Sequence, residues 1–160
     1  MQKIVPCLWF KGNAEEAVNF YASIFKDSKV VSMSRYGESG SKVSKMPKGS
    51  VMTISFQLNG QEFLAMNSEP DFPFTPAISF MVHCQTQAEV DYYWDKLADG
   101  GEYQQCGWLT DKFGLFWQIV PVEIEKILSG DNPAKSDKMM NALLKMERLD
   151  IAELKRAYER

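Results

Sequence analysis

Few side chains in this chain could do chemistry, and they are widely spaced. His83 is the only histidine, so it is the only side chain that titrates near neutrality without help from its surroundings. At a strand end it could serve as an acid or base. Cys7, Cys84 and Cys106 are odd in number and far apart, which gives neither a disulfide framework nor a Cys-x-x-Cys metal knuckle. Cys106, like Cys7, would be nucleophilic only beside a cation that lowers its pKa. Asp111 opens an Asp-x-x-Gly turn and completes the set. The candidate acids, bases or nucleophiles are therefore His83, Cys106 and Asp111. No nucleophile–base pairing is visible among them, so whether the chain is an enzyme stays open.

Other chemistries lack their motifs. No G-x-G-x-x-G and no P-loop occurs, and Gly100-Gly101 follows a helix pattern rather than a strand. Gly37-Glu38-Ser39-Gly40-Ser41 lacks the last glycine of a nucleophile elbow. A net charge of -3 suggests neither nucleic acid nor an anionic membrane as partner. No run of about 18 apolar residues exists to span a bilayer. Pro6 and Lys11 come too early for a signal peptide, so the expected compartment is the cytoplasm, with reduced thiols.

The elements that must position these residues follow from periodicity. Ile4 to Phe10 reads as a strand with Val5, Cys7 and Trp9 on one face, and Pro6 marks an edge or a beginning. Asn13-x-x-Glu16 is a capping-box-like start for a helix carrying Ala14, Ala17, Val18, Tyr21, Ile24 and Phe25. Residues 29–36 predict a second strand, and the aperiodic 37–49 stretch predicts a mobile loop. Val51 to Leu58 alternates, with Thr53, Ser55 and Gln57 opposite Ile54, Phe56 and Leu58. Asn59-Gly60 then turns the chain back through Gln61 to Met66.

Pro70, Pro73 and Pro76 mark a seam, after which the pattern restarts. Ile78 to Cys84 is a strand with Ser79, Met81 and His83 on one face. Thr86-x-x-Glu89 caps a helix bearing Val90, Tyr93, Trp94, Leu97 and Ala98, stopped at Gly100-Gly101. Two more strands fall around residues 102–110 and 115–120. A βαβββ unit used twice is the economical reading, giving a first module over 1–70, a second over 77–121 and a helical extension over 122–160. Asp150-x-x-Glu153 caps the last helix. Short isolated helices are marginal, so the extension must dock on the body or on a second subunit.

The stretch Cys106-Gly107-Trp108 … Asp111-x-x-Gly114-x-x-Trp117-Gln118-Ile119-Val120-Pro121 resembles the vicinal-oxygen-chelate (glyoxalase/bleomycin-resistance) superfamily, and its fuller string resembles the PhnB-like branch. That branch often carries the label 3-demethylubiquinone-9 3-methyltransferase. The resemblance implies an α+β fold of two βαβββ modules with curved mixed sheets, here with a helical C-terminal extension. It also implies four metal-ligand positions, which fall at Val5, Leu64 (or Met66), Ala77 and Gln118. One carboxamide and three apolar side chains cannot hold a divalent ion, so neither metal nor other cofactor is expected.

The resulting expectation is a metal-free protein that binds an unknown small molecule. Its pocket would be lined by Cys7, Trp9, Thr53, Ser55, Gln57, Ser79, Met81, Trp108, Phe116 and Gln118, with Trp94 and Trp117 in the core. Aromatic walls with a few polar groups suit a flat or amphipathic ligand. The alternatives are a small-substrate enzyme of the same superfamily and the methyltransferase of the family label. A homodimer is expected, to cover apolar sheet and helix surface.

Overall fold

The computed structural model describes residues 2–130 and 132–160. Met1, in the expected first module, and Asp131, in the expected extension, lie outside the described residues. The chain divides into two compact units, Met1–Pro73 and Phe74–Arg160.

The first unit runs β1 (Cys7–Phe10), α1 (Ala14–Ile24), β2 (Lys29–Arg35), α2 (Glu38–Ser44), β3 (Val51–Leu58) and β4 (Gln61–Asn67). Its sheet has the order β1-β4-β3-β2, with β1 parallel to β4 and the other pairs antiparallel. The second runs β5 (Phe80–Cys84), α3 (Gln87–Leu97), β6 (Glu102–Tyr103), β7 (Trp108–Thr110), β8 (Phe116–Pro121), α4 (Val122–Leu128), α5 (Pro133–Leu143) and α6 (Ile151–Glu159). Its sheet order, β5-β8-β7-β6, repeats that of the first, again with one parallel pair. The fold is α+β, built from two open mixed sheets with added C-terminal helices.

Alternation decides which face each strand buries. Leu8, Ile54, Phe56, Phe63 and Ala65 are buried on the face that α1 covers with Ala14, Ala17, Val18, Tyr21 and Ile24. Val82, Leu109, Trp117 and Ile119 are buried with Val90, Trp94 and Leu97 of α3. Each fully buried large side chain contributes about 1.5–3 kcal/mol, enough to fix strand register, because a slip of one residue would turn this set to water. Asn59 (φ 48°) and Gly60 (φ 79°) form the expected hairpin turn in left-handed backbone.

Several expectations change. The strands start later than their apolar runs suggested, at Cys7 and Phe80, leaving Ile4 and Ile78 exposed. Pro6 has no N–H to give the ladder, and only its carbonyl takes part, accepting from Leu64 N. The Asn13-x-x-Glu16 box does not cap α1, since Asn13 makes no side-chain cap bond. Asn67 Oδ1, at the end of β4, accepts instead from Gly12 N at 3.0 Å and Ala14 N at 2.9 Å. Thr86 and Asp150 do cap α3 and α6, accepting from Glu89 N and Glu153 N.

The stretch 37–49, expected as a mobile loop, contains α2. Its glycines and serines are poor helix formers, and its one apolar helical residue, Val43, is 86% exposed, so no amphipathic period betrays it. Long-range bonds hold it in place, with Tyr36 Oη donating to the Asn67 carbonyl and Glu69 N to Ser44 O, and locally Ser41 Oγ donates to Met46 O.

The helical extension docks on its own unit. Ile124, Met139, Leu149 and Leu154 form a buried cluster. Cys106 N and Gly107 N donate to Met146 O and Glu147 O, each at 2.7 Å. The Gln87 carboxamide bridges Leu149 O and Ile151 N. Close approach needs the glycine at 107, where a Cβ would stand 2.8 Å from Ile119 O and 3.1 Å from Leu149 Cδ1.

Candidate functional site

Each sheet keeps one face free of its covering helix, and the pleat delivers the candidate pocket residues there. In the first unit the ladders align Trp9, Met66, Thr53 and Ser34 across the sheet, then Cys7, Leu64, Ser55 and Ser32, then Glu62, Gln57 and Lys29. Cys7, Trp9, Thr53, Ser55 and Gln57 therefore share one face. Ser34 Oγ and Thr53 Oγ1 lie 2.6 Å apart and share one hydrogen bond. Partial burial pushes the Cys7 thiol above its ordinary value, so it stays neutral.

The Trp9 indole N–H donates to Pro70 O at 2.9 Å, and its ring meets Phe72 edge to face at 5.3 Å. Phe72 was missed by sequence reasoning, because a residue in an irregular proline-rich stretch has no period. Leu64 and Met66, ligand positions by the resemblance, also lie on this face, as alternation along β4 from the Asn59-Gly60 turn requires.

In the second unit Met81, Gln118 and Trp108 form one cross-strand row, with Phe116 beside Thr110 in the next. Gln118 Nε2 donates to Ser79 Oγ at 2.9 Å, and Gln104 Nε2 donates to Thr110 Oγ1 at 2.6 Å. Ser79, Met81, Trp108, Phe116 and Gln118 thus share the second open face. Trp94 and Trp117 lie on the opposite, buried side.

The three candidate catalytic residues have three different settings. His83 lies on the Met81 side of β5, half-exposed, with Nε2 3.2 Å from Glu125 Oε2. Cys106 occupies left-handed backbone (φ 63°) in the turn before β7. Asp111 is 2% exposed. Its Oδ1 accepts from Phe113 N and Leu115 N, and its Oδ2 accepts from the Trp117 indole N–H at 2.8 Å. Those bonds make it the organiser of the turn into β8. Cys84, behind the same sheet, is pushed up to about 12 by burial and, secondarily, by Glu89, which leaves an inert thiol.

The metal positions implied by the resemblance do not form a donor set. Val5 and Ala77 lie outside strands. Leu64 offers no lone pair, and Gln118, whose Nε2 donates to Ser79 Oγ, offers one carbonyl oxygen. Among the described residues no three His, Cys, Asp or Glu side chains gather as a metal site. The residues present do not fit the superfamily's ion.

Two four-stranded sheets of matching order, each backed by a helix, define the vicinal-oxygen-chelate architecture. The fosfomycin resistance protein FosX of Listeria monocytogenes shares the fold with a TM-score of 0.55 and 19% identity, over 81% of this chain and 98% of its own. Within that class, the chain belongs to the family described as 3-demethylubiquinone-9 3-methyltransferase, whose model matches residues 2–120, and to its PhnB-like branch. A PhnB protein from Bacillus cereus is 42% identical with a TM-score of 0.67, over 76% of this chain and all (100%) of its own. A Pseudomonas aeruginosa protein is 25% identical with a TM-score of 0.59, over 74% of this chain and 96% of its own. No curated protein sequence matches the chain.

Proposed function

We propose that this PhnB-like protein binds a small organic molecule on its open sheet faces without a metal ion. The observation that carries the reading is the donor set. At the ligand positions the superfamily resemblance implies, the chain presents Val5, Leu64, Ala77 and one carboxamide, Gln118, whose Nε2 donates to Ser79 Oγ. Each open face by itself carries indole, phenyl, thioether, hydroxyl and amide groups, which favour an amphipathic ligand held by stacking and a few hydrogen bonds. The protein is further proposed to be a cytoplasmic homodimer, with all three cysteines free.

The test is metal content per chain after incubation with Zn, Ni, Mn and Fe salts and gel filtration. Far less than one ion per chain is expected. A near-stoichiometric ion would overturn the ligand-position alignment and restore a chelating enzyme.

A second reading has one observation in its favour. The His83–Glu125 contact gives an imidazole whose Nε2 faces a carboxylate, the arrangement that orients a general base. An enzyme of this kind would lose turnover on His83→Ala while keeping its fold. The methyltransferase reading rests on the family description. The two open mixed sheets are not the doubly wound parallel sheet that usually presents a Gly-rich loop to a nucleotide-like cofactor.

A further inference from the structure

We propose that Trp9 and Phe72 form an aromatic clamp that selects a flat, uncharged ring system bearing one hydrogen-bonding edge; the proposal rests on the binding-protein reading above and names its ligand class. The segment after β4 is fastened before it reaches the sheet face. Ser68 N donates to Phe10 O, Glu69 N donates to Ser44 O, and the Glu69 carboxylate pairs with Lys11 at 3.5 Å. Pro70 O then takes the Trp9 indole proton. The result sets Phe72 edge-on to Trp9, with ring planes at 67°.

Phe72 is nevertheless 54% exposed. Its ring therefore keeps apolar surface that a second flat ring can cover, and stacking or edge contact with an aromatic pair tightens binding by about two- to tenfold beyond burial. With the indole N–H committed to Pro70, Trp9 presents a ring surface rather than a donor.

Charge decides the ligand class. The two cross-strand rows nearest the clamp, led by Trp9 and Cys7, hold no ionised group, since a thiol such as Cys7 is neutral at pH 7. The charged pair Glu62 and Lys29 lies in the row beyond, about 13 Å from the Trp9 row at two residues of strand rise per row. An anion in the clamp would lose water, and the cation nearest in the chain, Lys11, is already paired with Glu69 at 3.5 Å, while Asp71 beside Phe72 adds like charge. The hydrogen-bonding edge is met by Ser34 and Thr53: whichever hydroxyl donates to the other, one proton and several lone pairs remain for a ligand.

The experiment titrates 2-naphthol and its anionic analogue 2-naphthoate into full-length protein at pH 7. It follows the indole N–H signal of Trp9 in a proton–nitrogen correlation spectrum, assigned with Trp9→Phe. 2-Naphthol should shift that signal and bind about tenfold more tightly than 2-naphthoate, reflecting the unpaired charge. Phe72→Ala, at an exposed position, should loosen 2-naphthol by about tenfold, Phe72→Tyr should retain it, and Val43→Ser on α2 should change nothing. Equal affinity for the two probes, or indifference to Phe72→Ala, overturns the clamp. Shifts confined to the Trp108 signal overturn it while leaving the binding-protein reading intact. Stoichiometric metal uptake in the separate test above is the result that removes that reading itself.

Discussion

The two open sheet faces share a strand order and a pleat, yet they offer different chemistry. The first is a field of hydroxyls, Ser32, Ser34, Thr53 and Ser55, bordered by Trp9, Leu64 and Met66. The second carries a carboxamide row around Gln118, bordered by Trp108, Phe116 and Met81 and reached by His83. Each unit is organised by one buried polar residue at its last core strand. Asn67 (3% exposed) ties the end of β4 to the α1 N-terminus and donates to Val51 O. Asp111 (2% exposed) ties the turn into β8 to Trp117. The repeated architecture is thus held by different chemistry in each copy, and only the outward residues are free to diverge toward a ligand.

Breaking the two organisers gives the largest expected effects. Asp111→Ala leaves three donors, two of them buried, without their acceptor and should cost about 3–5 kcal/mol. Asn67→Ala orphans two amides and one carbonyl and should cost about 2–4 kcal/mol. Urea denaturation checks both. If Asp111→Ala is tolerated and the Asn67 variant unfolds, the second unit does not depend on its turn as described.

A smaller effect comes from Cys84. Its thiol ionises at about 12 in the fold against 9.0 ordinarily. The folded value is the higher one, so this contribution to stability is complete below pH 9 and is lost as pH rises toward 12. Cys84→Ala should flatten that alkaline limb in melting curves taken across pH 8–11. A limb that persists unchanged would assign it to another group. The smallest effect is optical: acrylamide should quench Trp9 and Trp108 more than Trp94 and Trp117, compared through single Trp→Phe variants. Equal quenching of all four would collapse the distinction between open and buried faces.

Much of this was legible in the sequence because it depended on period and local chemistry. Alternation in Val51–Leu58 separated Thr53, Ser55 and Gln57 from Ile54, Phe56 and Leu58. Asn59-Gly60 fixed the hairpin register, and Asp111-x-x-Gly114 marked the turn before β8. Legibility failed where distant residues supplied the missing partner. The helix α2 exists through Tyr36, Ser44 and Glu69 contacts that no window of neighbours contains. The α1 cap comes from Asn67, whose side chain lies 53 residues from Ala14 in the chain. Glu125 reaches His83, and Phe72 reaches Trp9, by the same kind of long-range placement.

The sequence by itself determined the two-fold βαβββ pattern, the inward and outward sets of each strand, the hairpin and the residue types that make a chelated ion a poor fit. Those follow from the two-residue pleat, the helical repeat and lone-pair chemistry, all of which are local. Tertiary structure alone decided where the extension docks, which polar residue holds each unit together, and which aromatic stands against Trp9. Each of those depends on groups distant in the chain meeting at hydrogen-bonding or van der Waals range, where burial makes one missing partner costly.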